Sequence, residues 1–139
     1  MKPLIDPVPT DLIEAELTRE RFLRPTNNGD NEIYVVTAGD SPNVMREIGR
    51  LREVSFRDGG GGTGADTDID EYDLDPEGYR QLIVWDPKQK EIVGGYRFII
   101  SHSSHPKCMS TEHYFRFTDK FREEYLPYTI ELGRSFVQP

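Results

Sequence analysis

The sequence predicts a single α+β domain, and three observations carry the expectation. Runs rich in β-branched and aromatic residues, at 32–38 (EIYVVTA), 80–85 (RQLIVW) and 91–101 (EIVGGYRFIIS), have the composition of strands. Between the first two, Ser41-Pro42 marks a helix start, with serine at the N-cap and proline at the first helical position. The length of 139 residues fits one domain and not comfortably two.

The elements follow in chain order. Residues 10–24 read as a short helix, with Asp11 as its cap, Glu14 as capping-box partner, and Leu12, Ile13, Leu17 and Phe22 as its apolar face. Pro25, Asn27, Asn28 and Gly29 break the chain. The strand at 32–38 comes next, then the helix from Pro42 to about Phe56. The run 58–64 (DGGGGTG) loses too much entropy on ordering to hold a regular element and reads as a mobile lid or linker. An acidic loop spans 66–75. Strands at 80–85 and 91–101, joined by a turn at 86–90, form a hairpin. A loop at 102–111 and a short helix within 112–125 lead to a last strand at 129–137. Residues 1–31 are thus expected to be an N-terminal helical extension, and 32–139 the sheet with its helices.

The charge balance narrows the function classes. A net charge of −8 repels phosphate backbones, so nucleic-acid binding is disfavoured, whereas amine-bearing partners suit such a surface. One cysteine, Cys108, cannot form an internal disulfide and fits a reducing compartment. No apolar stretch reaches bilayer length, and residues 1–9 carry two prolines and no signal-peptide pattern. A cytoplasmic location is expected.

Four charges fall where apolar residues belong. At 100° per residue, Val44, Met45, Ile48, Leu51, Ser55 and Phe56 share one face of the long helix, with Arg46, Arg50, Glu53 and Arg57 opposite. Arg52 lies in the middle of the apolar face and needs carboxylate partners if buried. Arg97 shares a strand face with Val93, Gly95 and Ile99, and Glu131 and Arg134 interrupt the last apolar strand. Asp70 and Asp73 are candidate partners. Three residues apart in a regular strand, Glu131 and Arg134 would point to opposite faces. A β-bulge near Gly133 would turn both inward and leave a backbone N–H free to stabilise an acyl-transfer oxyanion. A purely structural ion network is the alternative.

These motifs, Arg52-x-x-x-Phe56, Asp70-x-Tyr72-Asp73, Gly95-Tyr96-Arg97-Phe98 and Glu131-x-x-Arg134, resemble in order those of acyl-homoserine-lactone synthases. The stretch from Ser41 to Pro139, with REIGRLREVSF, DIDEYD and ELGRSFVQP, is more similar still to bacterial lipoamino-acid N-acyltransferases, often labelled "hemolysin-like", of the GNAT superfamily. The resemblance implies a mixed sheet flanked by helices, the N-terminal half of a GNAT-like α/β (α+β) fold. It implies transfer of a fatty acyl group from an acyl carrier protein or CoA thioester to an amino-acid α-amine, with no tightly bound cofactor. Glu131 would position or deprotonate the amine, with Arg97 and Arg134 beside it. Arg52, Phe56, Asp70 and Asp73 would form the acceptor side, and the backbone N–H groups of Gly133, Arg134 and Ser135 would face the thioester carbonyl. Cys108 is not implied as a nucleophile. The glycine run replaces a tryptophan of the synthases, which points away from homoserine-lactone chemistry. On this resemblance the donor-binding part would follow Pro139, so this chain is expected to lack it.

Other readings stay open. Asp66, Asp68, Asp70 and Glu77 fall at positions 1, 3, 5 and 12 of an EF-hand loop, but Glu71 stands where glycine is required. His102, His105, Cys108 and His113 are zinc-ligating types at a spacing that fits no standard module. The glycine run lacks the lysine and hydroxyl residue of a phosphate-binding loop. The chain could instead be a non-catalytic, self-associating unit. A last strand with an apolar free edge recruits another strand, so a homodimer is expected; peripheral membrane contact is open.

Overall fold

The computed structural model describes residues 1–101 and 109–139. The elements are α1 (Thr10–Glu16), β1 (Phe22–Pro25), β2 (Glu32–Val36), α2 (Pro42–Asp58), α3 (Glu71–Leu74), β3 (Arg80–Asp86), β4 (Glu91–Ile100), α4 (Thr111–Tyr114) and β5 (Ile130–Val137). A π turn at Phe121–Tyr125 and a 3₁₀ turn at Leu126–Tyr128 precede β5. The strands form one sheet in the order β1-β2-β3-β4-β5, and each neighbouring pair is antiparallel. The sheet is therefore antiparallel, not mixed, among the described residues.

The N-terminal extension departs from its expected form. The helix stops at Glu16, and Phe22–Pro25 forms a strand that pairs with β2. Pairing satisfies backbone groups at the sheet edge, and the Phe22 ring meets Tyr34 edge-on at 5.6 Å. These tertiary gains exceed the small helical preference of the segment. Asp11 makes no cap; the N-cap position is Pro9, which offers no side-chain acceptor. Glu16 instead caps α2. Its carboxylate accepts from the backbone N–H of Asn43 at 3.1 Å and of Val44 at 2.7 Å. Ser41 occupies the N-cap position, but its hydroxyl donates to Asp40 at 2.7 Å and leaves the capping to Glu16.

The apolar face of α2 packs on the sheet as its periodicity dictates. Val44, Met45, Ile48 and Leu51 join Val36, Ile83, Trp85, Ile92 and Phe136 in the main core. Each such fully buried side chain contributes about 1.5–3 kcal/mol. A smaller cluster of Tyr79, Ile99, Met109 and Leu126 lies further along β4.

The opposite face of α2 is covered too, which its polar pattern did not foretell. Glu47 is buried, accepts from the Val8 N–H at 3.0 Å and pairs with Arg50. Glu53 is fully buried. Its carboxylate accepts from the Arg57 guanidinium, the Thr63 N–H and hydroxyl, and the Gly64 N–H, at 2.8–3.0 Å. Asp58, the first residue of the run 58–64, still belongs to α2, which runs past its expected end; residues 59–64 hold no helix or strand, and Thr63 and Gly64 are tied to α2 rather than hanging free. Burial pushes the Glu53 carboxyl up, but these donors more than offset it and hold its pKa down at about 2.

Candidate active site

The acidic loop reaches the sheet because α2 carries a glycine where the two cross. The Asp68 N–H donates to the Gly49 carbonyl at 3.0 Å. A Cβ at Gly49 would lie 2.6 Å from Ile69 Cγ1, so the loop could not approach a larger residue. Beyond the crossing, Asp70 caps α3. Its side chain accepts from the Asp73 N–H and the Asp73 side chain from the Asp70 N–H, both at 3.1 Å. This reciprocal box fixes both carboxylates.

Three arginines from three elements converge on them. Arg52, fully buried in α2, donates to Asp73 at 3.0 Å and to Gln81 Oε1 at 2.7 Å. Arg97, buried in β4, donates to Asp70 at 2.8 Å and lies 3.3 Å from Asp73. Arg134 of β5 pairs with Asp68 and reaches Asp70 at 3.3 Å. Gln81 of β3 closes the set by donating to Asp73 at 2.8 Å. Arg52, Arg97 and Arg134 balance Asp68, Asp70 and Asp73 in charge, which is what makes their burial tolerable. Burial lowers the Arg52 guanidinium below its ordinary value, with Asp73 and Asp68 offsetting only part of the fall. Burial acts the same way on Arg97, but Asp70 and Asp73 outweigh it and raise that group. At Asp73, burial pushes the carboxyl up while Arg52, the Asp70 N–H and Arg97 pull it below the usual range; the net direction is down.

The strand irregularity expected near Gly133 is present. Arg97 pairs with Gly133 and Gly95 with Phe136, so Arg134 and Ser135 together oppose Tyr96 alone. Arg134 takes a left-handed backbone at φ +50°. This conformation costs a non-glycine residue about 1–2 kcal/mol, and the two carboxylate contacts of its side chain offset it. The bulge lets Arg134 turn to the face that already carries Glu131, whose strand partner is Ile99.

Glu131 does not join the arginine cluster directly. One carboxylate oxygen accepts from the Tyr79 hydroxyl and from Ser110 Oγ at 2.8 Å; the other accepts from Thr111 Oγ1 at 2.6 Å and the Thr111 N–H at 3.3 Å. Burial pushes the carboxyl up, but donation from Thr111, Tyr79 and Ser110 outweighs it and holds the group below its ordinary value. Burial and the Glu131 contact push the Tyr79 phenol up to about 12, so it stays a donor at neutral pH.

Arg52, Asp70, Asp73, Arg97, Arg134 and Glu131 therefore gather along one side of the sheet, with Gly133 directly opposite Arg97. Phe56 does not join them; it packs, half-buried, against the main core. Five participants were not foreseen in these roles. Gln81 and Tyr79 lie at the inward parity of Ile83 and Trp85, the period-two signal that singled out Arg97. Asp68 shares the alternate spacing of Asp70. Ser110 and Thr111 depend on a long-range return of the chain that leaves no local mark. The EF-hand alignment does not describe the loop, because Asp68 and Asp70 face arginines and no group of three metal-ligating side chains occurs among the described residues. His102, His105 and Cys108 lie outside the described residues.

This fold and cluster can be set beside known proteins. The acetyltransferase (GNAT) domain family matches residues 51–139, more than half of the chain and all of the strands that carry the cluster. The chain belongs to the GNAT family. Within it, the chain is 53% identical to a glycine N(alpha)-acyltransferase of Bacteroides thetaiotaomicron, over 99% of this chain and 42% of that protein. It is 52% identical to a glycine N(alpha)-acyltransferase of Phocaeicola vulgatus, over 99% of this chain and 44% of that protein. The chain thus spans less than half the length of these relatives. No solved structure matches it. No helix among the described residues is long and apolar enough to cross a membrane.

Proposed function

We propose that this GNAT chain forms the acceptor side of an N-acyltransferase that moves a fatty acyl group from a thioester to the α-amine of glycine. The observation that carries the reading is the placement of Glu131 and three arginine–aspartate pairs on one sheet face around a bulged strand. The names of the two relatives favour glycine over ornithine as acceptor. The donor in this reading is an acyl carrier protein thioester, with acyl-CoA second. Both named relatives are bacterial, and the proposed setting is the bacterial cytoplasm and lipoamino-acid synthesis.

The chemistry follows from the charges. An α-amine arrives protonated and must lose a proton before it attacks a thioester. The Glu131 carboxylate, held ionised, attracts the ammonium group and orients it, and the proton leaves through water at its rim. Arg97 and Arg134 hold the acidic loop against the sheet. The N–H groups around Arg134 and Ser135, at the bulge, stabilise the oxyanion; its collapse breaks the C–S bond, and the donor leaves as a thiol that takes up the second proton of the amine. An apolar groove of about 260 Å³, lined by Leu82, Val84, Val93, Tyr96 and Val137, lies next to Ser135 of the bulge on the sheet face opposite Gln81 and Arg97. A homodimer through β5 belongs to the same proposal, supported by exposed Ile130, Leu132 and Val137 on that strand. Sedimentation should show self-association; a stable monomer at high concentration sinks that part.

The test assays this chain and a chimera that continues it after Pro139 with the corresponding part of one of the two relatives. Each is given palmitoyl-acyl carrier protein or palmitoyl-CoA with glycine or ornithine, and products are read by mass spectrometry. N-acylglycine from the chimera is expected. A chimera that folds and acylates neither amino acid from either donor overturns the proposal.

A further inference from the structure

Tyr79 stands where the arginine cluster and Glu131 meet. It is 1% exposed, just before β3. Its hydroxyl donates to Glu131 Oε1 and accepts from the Ser110 N–H at 2.8 Å. Its ring face lies 4.5 Å from the Arg97 guanidinium carbon, and its edge meets Tyr72 at a centroid distance of 6.1 Å and 89°. We propose that Tyr79 is a positioning residue that fixes the Glu131 carboxylate for the acceptor amine and couples it to Arg97. The inference rests on the role given to Glu131 above.

The geometry leaves few other ways to hold this carboxylate. Tyr79, Ser110 and Thr111 direct four donors at the about four lone-pair sites of its two oxygens, and the longest of them, the Thr111 N–H at 3.3 Å, is the one an acceptor ammonium group displaces. Ser110 and Thr111 come from the start of the four-residue α4, a short element with no buried residues. Tyr79 alone is anchored in a core cluster, with Ile99, Met109 and Leu126 around it. Its phenol also holds the Ser110 N–H, so it orders a second Glu131 donor. Among the described residues, the charged and titratable groups that bear on Glu131 are Tyr79 itself and, behind the ring, Arg97 and Tyr72; Glu112 of α4 is turned to Arg122 at 3.3 Å. A phenylalanine at 79 keeps the ring packing and the cation–π contact and removes only the donor to the carboxylate and the acceptor for Ser110.

The test is Tyr79→Phe, read in two ways. In the 139-residue chain with ¹³C-labelled glutamate, the Glu131 carboxyl is titrated by NMR; its midpoint should rise by about one pH unit. In the chimera that acylates glycine, kcat should fall roughly tenfold, and the acid limb of the rate profile should move up with the NMR midpoint. A variant that loses only thermal stability, with the midpoint and limb unmoved, overturns the proposal. If Tyr79→Phe does not fold, 3-fluorotyrosine at 79 serves instead. Its stronger donor should move the midpoint down, and no movement overturns the proposal equally. A shifted midpoint in a chimera that transfers no acyl group sinks the acyltransferase reading, and with it the role for the amine. An unshifted midpoint in an active chimera sinks Tyr79 alone.

Discussion

Replacing Asp73 by asparagine is the sharpest probe of the buried cluster. Asp73 is 1% exposed and receives Arg52, Gln81 and the Asp70 N–H, with Arg97 at 3.3 Å. Asparagine keeps the shape but turns the balanced set of three arginines and three aspartates into one with an unpaired positive charge. Breaking a buried pair from one side costs about 3–5 kcal/mol. The new amide NH₂ must also face a donor on one side, either Arg52 and the Asp70 N–H or the Gln81 amide, within that same range. Against a domain stability of about 5–15 kcal/mol, the variant should fold but lose roughly 4 kcal/mol. The pH dependence has a definite sign. The folded-state carboxyl is depressed, so its stabilisation is present above the ordinary carboxylate range and is lost as pH falls through the folded value. The gap between wild type and Asp73→Asn should be full at neutral pH and close below about pH 4. Urea unfolding followed by the fluorescence of Trp85, the single tryptophan and a core residue, measures it directly. A gap under about 1 kcal/mol, or one that does not change between neutral and acid pH, would refute the buried-pair account.

Three further outcomes follow from the same structure. Gly49→Ala gains about 1 kcal/mol of helix propensity but pushes Ile69 and Thr67 off the helix; a net loss of about 1–2 kcal/mol is expected in urea unfolding, with faster amide exchange at Asp70 and Asp73. Glu53→Gln should cost roughly 2 kcal/mol and raise amide exchange at Thr63 and Gly64, because two N–H groups lose a charged acceptor. Since the Glu53 pKa is depressed to about 2, its stabilisation persists above the ordinary glutamate value and fades only as pH falls toward 2, and acid titration of wild type against Glu53→Gln should converge there. Arg134→Gly relieves the left-handed backbone but abandons Asp68 and Asp70; acyl transfer by the chimera should fall at least tenfold with the fold retained.

Much of this was legible because a charge inside an apolar period is conspicuous. Arg52 on the buried helix stripe and Arg97 on the buried strand face announced a carboxylate cluster before any geometry was known, and Asp70 with Asp73 supplied it. The bulge was legible from the spacing of Glu131 and Arg134, although the left-handed residue is Arg134 and not Gly133. What stayed hidden was set by distant contacts. Glu53 reads as a solvated helix position, and only the return of residues 63–64 over α2 buries it. Phe22 continues a helical pattern, yet an available sheet edge turns its segment into a strand. The shell around Glu131 joins residues 79, 110, 111 and 131, a closure that no local periodicity encodes.

The central claim is that Glu131, held ionised on the arginine-braced face, receives the acceptor amine. It is tested most directly by kcat/KM for glycine acylation by the chimera with Glu131 intact and with Glu131→Gln, both checked for an unchanged fold. Glutamine keeps the size and an acceptor oxygen but removes the charge, so a fall of about 100-fold or more is predicted. An unchanged kcat/KM would contradict the account.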